Sequence, residues 1–337
     1  MPTDAACMNN ETGTKRLIGT RGIYVRICRG PRLRAPVASG SMSTASTELS
    51  AEDKPMAAAD WSFLLAVSLI WGASFLFMAI ALDDFEPGLV TLLRVGFGFA
   101  TLAFLPAARQ PIPRAAWGRI GLLGFTWMAL PLTLFPIAQQ WINSSMTGML
   151  NSAMPIAAVL IAWIGFGIPT GPRRLAGVAV GIAGILIVGV PEASTAGTNA
   201  AGVLLVVAAA TSYGVAASIA GPLQREYGAV PVVFRALGVA CVLCLPYGIV
   251  DGAASSFGWA ALAACAGVGV GGTGIAFALA ATLNGRVGAV RFSLVTYIIP
   301  IVSIVLGVLF RDETVTTWAI IGTVVVLAGA FLSSRVD

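Results

Sequence analysis

Along the last 280 residues, long apolar stretches alternate with short polar links. Ten such stretches lie near 61–82, 87–107, 117–138, 145–168, 174–192, 200–220, 230–250, 258–281, 291–310 and 315–334. Each is close to the ~20 residues that a helix needs to cross about 30 Å of hydrocarbon. Polar and apolar positions never alternate with strand period over barrel-length segments. Inside a bilayer every backbone amide must be satisfied internally, which leaves helices or a closed barrel. The pattern therefore predicts an all-α integral membrane protein with ten transmembrane helices.

The second five stretches repeat the first five. Pro155 in NSAMPIAAVLIAW recurs as Pro300 in TYIIPIVSIVLGV, 145 residues later, and the pair Gly177 and Gly184 recurs as Gly322 and Gly329 at the same offset. A unit of five helices is odd, so its second copy enters the bilayer from the opposite side. The chain divides into residues 1–58, a first five-helix repeat over 59–192 and a second over 193–337. Inverted repeats are the build of many secondary transporters, with a solute site near the midplane between them.

Composition and charge sharpen this picture. The chain is 57% hydrophobic and 10% charged, with a mean hydropathy of +0.88. Soluble domains carry about 25% charge, which excludes an aqueous globular fold. The net charge of +5 is not a nucleic-acid signature, because the charges sort by loop. Loops after the even-numbered helices hold Arg109, Arg114, Arg119, Arg173, Arg174, Arg225, Arg286 and Arg291. Loops after the odd-numbered helices hold Asp83, Asp84, Glu86, Glu192, Asp251, Asp312 and Glu313, with Arg311 as the sole cation. Positive loops stay cytoplasmic, which puts both termini inside.

Residues 1–58 are of another kind: basic, with scattered acids and both lysines of the protein, Lys15 and Lys54. No apolar core follows the basic part, so it is not a secretory signal. Its acids argue against an organelle transit peptide. It reads as a disordered tail or an over-extended start, with Met42 or Met56 as initiator. Of the five cysteines, Cys7 and Cys28 lie in this tail and Cys265 in an apolar helix, while Cys241 and Cys244 form a CxxC with no second pair. The chain has no histidine, so no metal set is implied and small-residue packing explains these thiols. No cofactor is expected either. There is no GxxxxGK[ST], and the GxGxxG run Gly267–Gly272 lies in an apolar helix without the strand a dinucleotide site requires.

Arg94, in VTLLRVGFGF, is the costliest residue of the predicted spans, at about 2.5–3.5 kcal/mol for a central arginine on insertion scales. Either it binds a carboxylate or phosphate of a solute, or it ties helix ends and carbonyls together. Glu86 lies about 12 Å away along the helix and cannot meet it directly. Arg235 sits nearer a cytoplasmic edge and can snorkel. No Asp, Glu or His lies deep in a span, which argues against a carboxylate or imidazole proton relay. The remaining polar residues are neutral: Trp71, Ser74, Thr91, Asn151, Ser152, Ser212, Tyr213, Thr296 and Tyr297. Asn151 and Thr296 each stand four residues before the repeated proline, and Trp71 and Tyr213 each precede a glycine. Trp71, Asn151, Tyr213 and Thr296 are therefore expected to line one central cavity. Ser74, Arg94 and Tyr297 complete the candidate binding set.

The motifs LIWGASF at 69–75, FEPGLVTLLR with Pro87 and Arg94, and SLVTYIIPIVSIVLGVLFRDETVTTWAIIGTVVVLAGAFL at 293–332 resemble the EamA-type permeases of the drug/metabolite transporter superfamily. The resemblance covers about residues 60–335. It implies alternating-access export or import of small metabolites, such as amino acids or related organic solutes, across a bacterial cytoplasmic membrane, and no enzyme activity. The expected partners are a small-molecule solute and the lipid bilayer, not nucleic acid, in a monomer or homodimer. The alternatives are a nucleotide-sugar or sugar-phosphate exchanger of the same superfamily, which asks for more cavity cations, and a non-transporting membrane protein. One departure stands out. Ile168 falls where Glu313 does in the second half, so the turn between the fourth and fifth helices is expected to close differently.

Overall fold

The computed structural model describes residues 56–195 and 199–334. The readings of the amino-terminal segment to residue 55 lie outside the described residues. All regular structure within them is helical. The helices are α1 (Ala58–Ala81), α2 (Pro87–Ala103), α3 (Arg114–Ala138), α4 (Ser144–Asn151), α5 (Met154–Phe166), α6 (Pro172–Thr195), α7 (Asn199–Tyr227), α8 (Ala229–Ala254), α9 (Trp259–Gly288), α10 (Leu294–Arg311) and α11 (Thr317–Ser334). Eight of them, all but α2, α4 and α5, are long and apolar enough to cross a membrane. This is a multi-pass membrane protein. Ile164, Val242 and Phe310, at least two-thirds exposed, belong to its outer apolar surface.

Two spans differ from expectation, and proline explains both. The stretch expected to run to residue 107 stops at Ala103, because Pro106 has no N–H to return to Leu102 and restrains the residue before it. The stretch expected as one helix over 145–168 is two, α4 and α5, bent by 40°. Pro155 cannot bond the carbonyl of Asn151, and the chain turns at Ser152 and Ala153. Pro300, its counterpart, sits inside an unbroken α10.

The turn expected to close differently closes alike in both halves. Gly167 and Asp312 end α5 and α10 in the left-handed conformation, at φ 64° and 51°. The following amide completes the cap, from Ile168 to Ala162 O at 3.0 Å and from Glu313 to Gly307 O at 3.2 Å. The backbone tolerates either side chain, so the Glu-to-Ile difference leaves the turn unchanged.

Two helix pairs show how the small residues work. α6 and α11 lie antiparallel, with Gly177 against Gly329 and Gly184 against Gly322. A Cβ on Gly184 would fall 2.9 Å from the Gly322 carbonyl, and one on Gly322 would fall 2.9 Å from the Gly184 carbonyl. Backbones approach this closely only without side chains. α2 and α8 also run antiparallel, and side chains of α8 tie the start of α2 and the link that follows it. The Gly88 amide donates to Asp251 Oδ2 at 2.7 Å. At the other end Arg235 donates to the carbonyls of Ala108 at 3.0 Å and Gln110 at 2.6 Å.

Both third-position helices contain a π-helical stretch, Gly124–Ala129 in α3 and Gly267–Ile275 in α9. The glycine-rich run 267–272 is thus a widened turn within a span rather than a phosphate loop. Such widened turns are frequent at functional sites.

Candidate functional site

Four of the predicted residues gather around the π-helical stretch of α9. Trp71 donates its indole N–H to the Gly272 carbonyl at 3.0 Å. Ser74, one turn on, is buried beside Gly272, where a Cβ would fall 2.5 Å from the serine hydroxyl. Its own hydroxyl bonds Ile70 O at 2.8 Å within α1. Arg94 is 6% exposed; its Nε donates to Thr273 Oγ1 at 3.2 Å and its Nη1 to Met78 Sδ at 3.0 Å. Neither partner is a carboxylate, and Arg94 forms no ion pair among the described residues. Tyr213 on α7 and Cys265 on α9 are close enough to feel its charge.

Aromatic rings pack on both sides of this group. Phe277 meets Trp71 and Trp127 edge-on at 5.5 and 5.3 Å, and Trp71 meets Phe292 at 6.4 Å. Phe135 meets Phe75 at 5.7 Å and Tyr213 at 6.0 Å. Edge-to-face pairs at these distances are the favoured arrangement of aromatic quadrupoles.

The other three predicted residues lie on α4 and α10, two helices that pack against each other. Thr296 is buried, and its hydroxyl returns to the Ser293 carbonyl at 2.7 Å. Asn151 Oδ1 and Tyr297 OH are buried without a hydrogen-bond partner in the protein. Tyr297 packs against the cluster of Ala153, Ile156, Val178, Val326 and Ala330.

A cavity of about 600 Å³ opens at the end of the bundle that carries the acidic loops. Its wall includes Asp83, Asp84, Glu86, Gln139, Asn143, Ser144, Arg311 and Glu313, and none of the seven predicted residues. Gln139 links it to the aromatic layer, donating Nε2 to Phe75 O at 3.2 Å while its Oε1 is buried and unpartnered. Arg311 forks onto Asp83 at 2.6 and 2.8 Å. Sequence reasoning missed Gln139, Thr273 and the Ser144–Ser145 pair. The polar run QQWINSS between two apolar stretches was the one available signal, and it reads as an ordinary loop.

Membrane-length apolar helices, a polar cavity at one end of the bundle and an arginine buried in its core define a multi-pass helical membrane protein. The chain belongs to the EamA-like transporter family, whose model matches it twice, over residues 61–190 and 200–335. It is 25% identical over 281 residues to a probable terminal-alkyne amino-acid exporter of Streptantibioticus cattleyicolor, spanning 82% of this chain and 93% of that protein. It is 24% identical over 246 residues to an uncharacterized transporter of Archaeoglobus fulgidus, spanning 73% and 86%. The uncharacterized transporter YoaV of Bacillus subtilis is 22% identical, spanning 80% and 95%. A solved crystal structure superposes with a TM-score of 0.55 at 21% identity, covering 82% of this chain and 96% of that one, a likeness of fold.

Proposed function

We propose that the chain is a ten-span permease of two inverted five-helix repeats, 59–192 and 193–337, moving small carboxylate-bearing metabolites such as amino acids by alternating access. In this reading α2 and the bent α4–α5 pair are the two spans beyond the eight. Both termini are cytoplasmic, and the membrane is the bacterial cytoplasmic one. The α6–α11 contacts support the inversion. An offset of 145 residues, applied both ways, turns the pair Gly177–Gly329 into Gly322–Gly184, which is the other observed contact.

The observation that carries the substrate class is Arg94. A guanidinium buried in the core without a carboxylate is costly, and an arriving carboxylate offsets that cost with charge-assisted bonds. Tyr213 offers a hydroxyl nearby, and the amino-acid exporter among the relatives favours the same class. Arg94 is the single buried arginine among the described residues, which fits one carboxylate better than a nucleotide sugar.

Counterflow in proteoliposomes with labelled amino acids, purines and sugar phosphates tests this. Amino acids should exchange, and Arg94→Gln should abolish exchange at normal protein abundance. If Arg94→Gln exchanges normally, the carboxylate reading is wrong. If abundance collapses instead, the arginine is a structural tie.

A further inference from the structure

The link from α2 to α3 is a surface built on its neighbours. Its buried positions, Ala108, Ile112 and Ala116, recur every four residues, and the last two pack with Leu223 of α7 and Val232 of α8. Arg235 of α8 holds its backbone, with the guanidinium taken up by the carbonyls of Ala108 and Gln110. Two short 3-10 turns, Pro106–Arg109 and Arg114–Ala116, complete the link, and the second opens α3. With the inner side fixed in this way, Phe104, Arg109, Arg114 and Trp117 are left exposed, Phe104 by 83%.

The outer face of α3 continues this surface towards the bilayer interior. At 3.6 residues per turn, Arg114, Trp117, Gly118, Gly121, Leu122 and Phe125 fall on one side of the helix, about 140° wide. Ile120 and Leu123, on the other side, are buried. A Cβ on Gly118 or Gly121 would meet nothing within 4 Å, so the two glycines leave a notch between Trp117 and Leu122. Arg114 stands at the top of this stripe and Arg119 at its edge. From Arg114 to Phe125 the axis runs about 16 Å, close to half of the roughly 30 Å hydrocarbon thickness. The stripe therefore matches one phospholipid in length, with cations where the headgroup lies.

Charge decides which lipid fits. Residues 104–119 and 222–229, which meet at this end, hold Arg109, Arg114, Arg119 and Arg225 against Glu226 alone. Glu226 takes the Tyr227 hydroxyl, and Tyr227 feels the charge of Arg119. Among the described residues none of these four arginines is in an ion pair. The opposite end of the bundle also exposes aromatic rings, Phe257 and Trp259, but there the chain is bonded to the acidic link at Asp84. Exposed aromatics mark the lipid interface at both ends, and the arginines give one end its preference for negative charge. We propose that the outer face of α3 binds an anionic phospholipid. Arg114 and Arg119 take the phosphate, Trp117 lies at the level of the glycerol esters, and an acyl chain runs in the glycine notch down to Phe125. The proposal needs only the membrane-spanning fold and is independent of the solute.

Native mass spectrometry of the full chain in detergent, with phosphatidylglycerol and phosphatidylcholine of the same chains as probes, tests this. The wild type should keep phosphatidylglycerol at collision energies that strip phosphatidylcholine. Arg114→Gln and Arg119→Gln should each weaken phosphatidylglycerol about fivefold, and the double variant about twentyfold or more, the scale expected for an arginine near an anionic surface. Gly118→Leu fills the notch, keeps both arginines and should also weaken retention. Arg173→Gln, an exposed arginine at the same end in the link between α5 and α6, should change nothing. Glycerol phosphate, which has the headgroup chemistry without the chains, should not displace the lipid. Equal retention of the two lipids overturns the proposal, and this comparison on the wild type stands even if a variant does not fold. A loss in Arg173→Gln as large as in Arg114→Gln overturns it too, since the attraction would then belong to the whole basic end. Displacement by glycerol phosphate would overturn it in favour of a site for soluble anions.

Discussion

The indole of Trp71 is bonded to the carbonyl of Gly272, 3.0 Å away in the π-helical stretch of α9. Widening a helix from i+4 to i+5 bonding disturbs the ladder and exposes carbonyls to outside donors. Ser212 on α7 does the same to the π-helical stretch of α3, donating to Thr126 O at 2.6 Å. In each case a helix that begins one half satisfies the widened helix of the other half.

Trp71 therefore has a holding role as well as any contact with solute. Trp71→Phe keeps a ring against Phe277 and Phe292 but removes the N–H. Leaving a buried carbonyl unpartnered costs about 1–3 kcal/mol. The expected outcome is a lower unfolding temperature in detergent with exchange partly retained. Trp71→Ala should lose both. Unchanged stability in Trp71→Phe would show that water replaces the indole.

The glycines of the α6–α11 seam make a sharper test of packing. Gly184→Ala and Gly322→Ala each push a methyl against the facing backbone, and over-packing of this kind costs about 1–3 kcal/mol. Gly121→Ala on α3 meets nothing within 4 Å and removes a flexible residue from a helix. It should be neutral or stabilising by about 0.5–1 kcal/mol. Thermal unfolding of the three variants should give two losses and no loss. Equal behaviour of all three would mean that the seam is looser than its geometry.

How much of this was legible in the sequence follows from what sequence periodicity can carry. Hydrophobic length located the eight helices long enough to cross a membrane, and the repeat of Gly177 and Gly184 marked residues that do meet their counterparts. Pro155 was visible, but its effect was not, since the same residue at 300 leaves α10 unbroken. A helix end is decided by local bonds, as at Ser152 and Ala153, rather than by hydropathy. The site was harder still. Matching depth singled out Trp71, Tyr213, Asn151 and Thr296, yet it could not show that the Trp71 indole is bonded to the Gly272 carbonyl or the Thr296 hydroxyl to Ser293 O. Glu313 was noticed through its missing counterpart, but its four donors on Ser144 and Ser145 come from the first turn of α4, which no pattern connects to it.

Topology gives a prediction independent of the site. The acidic loops lie at the cavity end and the arginine-bearing loops at the other. Reporter fusions after Asp251 and after Asp337 should read outside and inside. The same side for both would remove the inverted arrangement, since the stretch between them would then hold an even number of crossings.

The two ion pairs of α1 should separate in their effects on stability. At one end Asp60, with its side chain 10% exposed, takes Arg286 Nε at 2.6 Å, and the same guanidinium lies 5.7 Å from the Phe63 ring. At the other end Asp83 and Arg311 are 49% and 34% exposed at the cavity mouth. An exposed pair contributes about 0.2–1 kcal/mol, so Asp83→Asn should scarcely move the unfolding temperature. Asp60 is mostly withdrawn from water, and its second oxygen accepts from the Ala57 amide at 2.9 Å. Removing Arg286 takes from that carboxylate the guanidinium bonded to it and leaves Arg291 as its other cation, a change that costs more than the loss of an exposed pair. Arg286→Gln should therefore lower stability more than Asp83→Asn, and adding Asp60→Asn to Arg286→Gln should recover part of the loss by removing the under-compensated charge. A double variant less stable than Arg286→Gln alone would show that Asp60 acts through its helix cap and not through the pair.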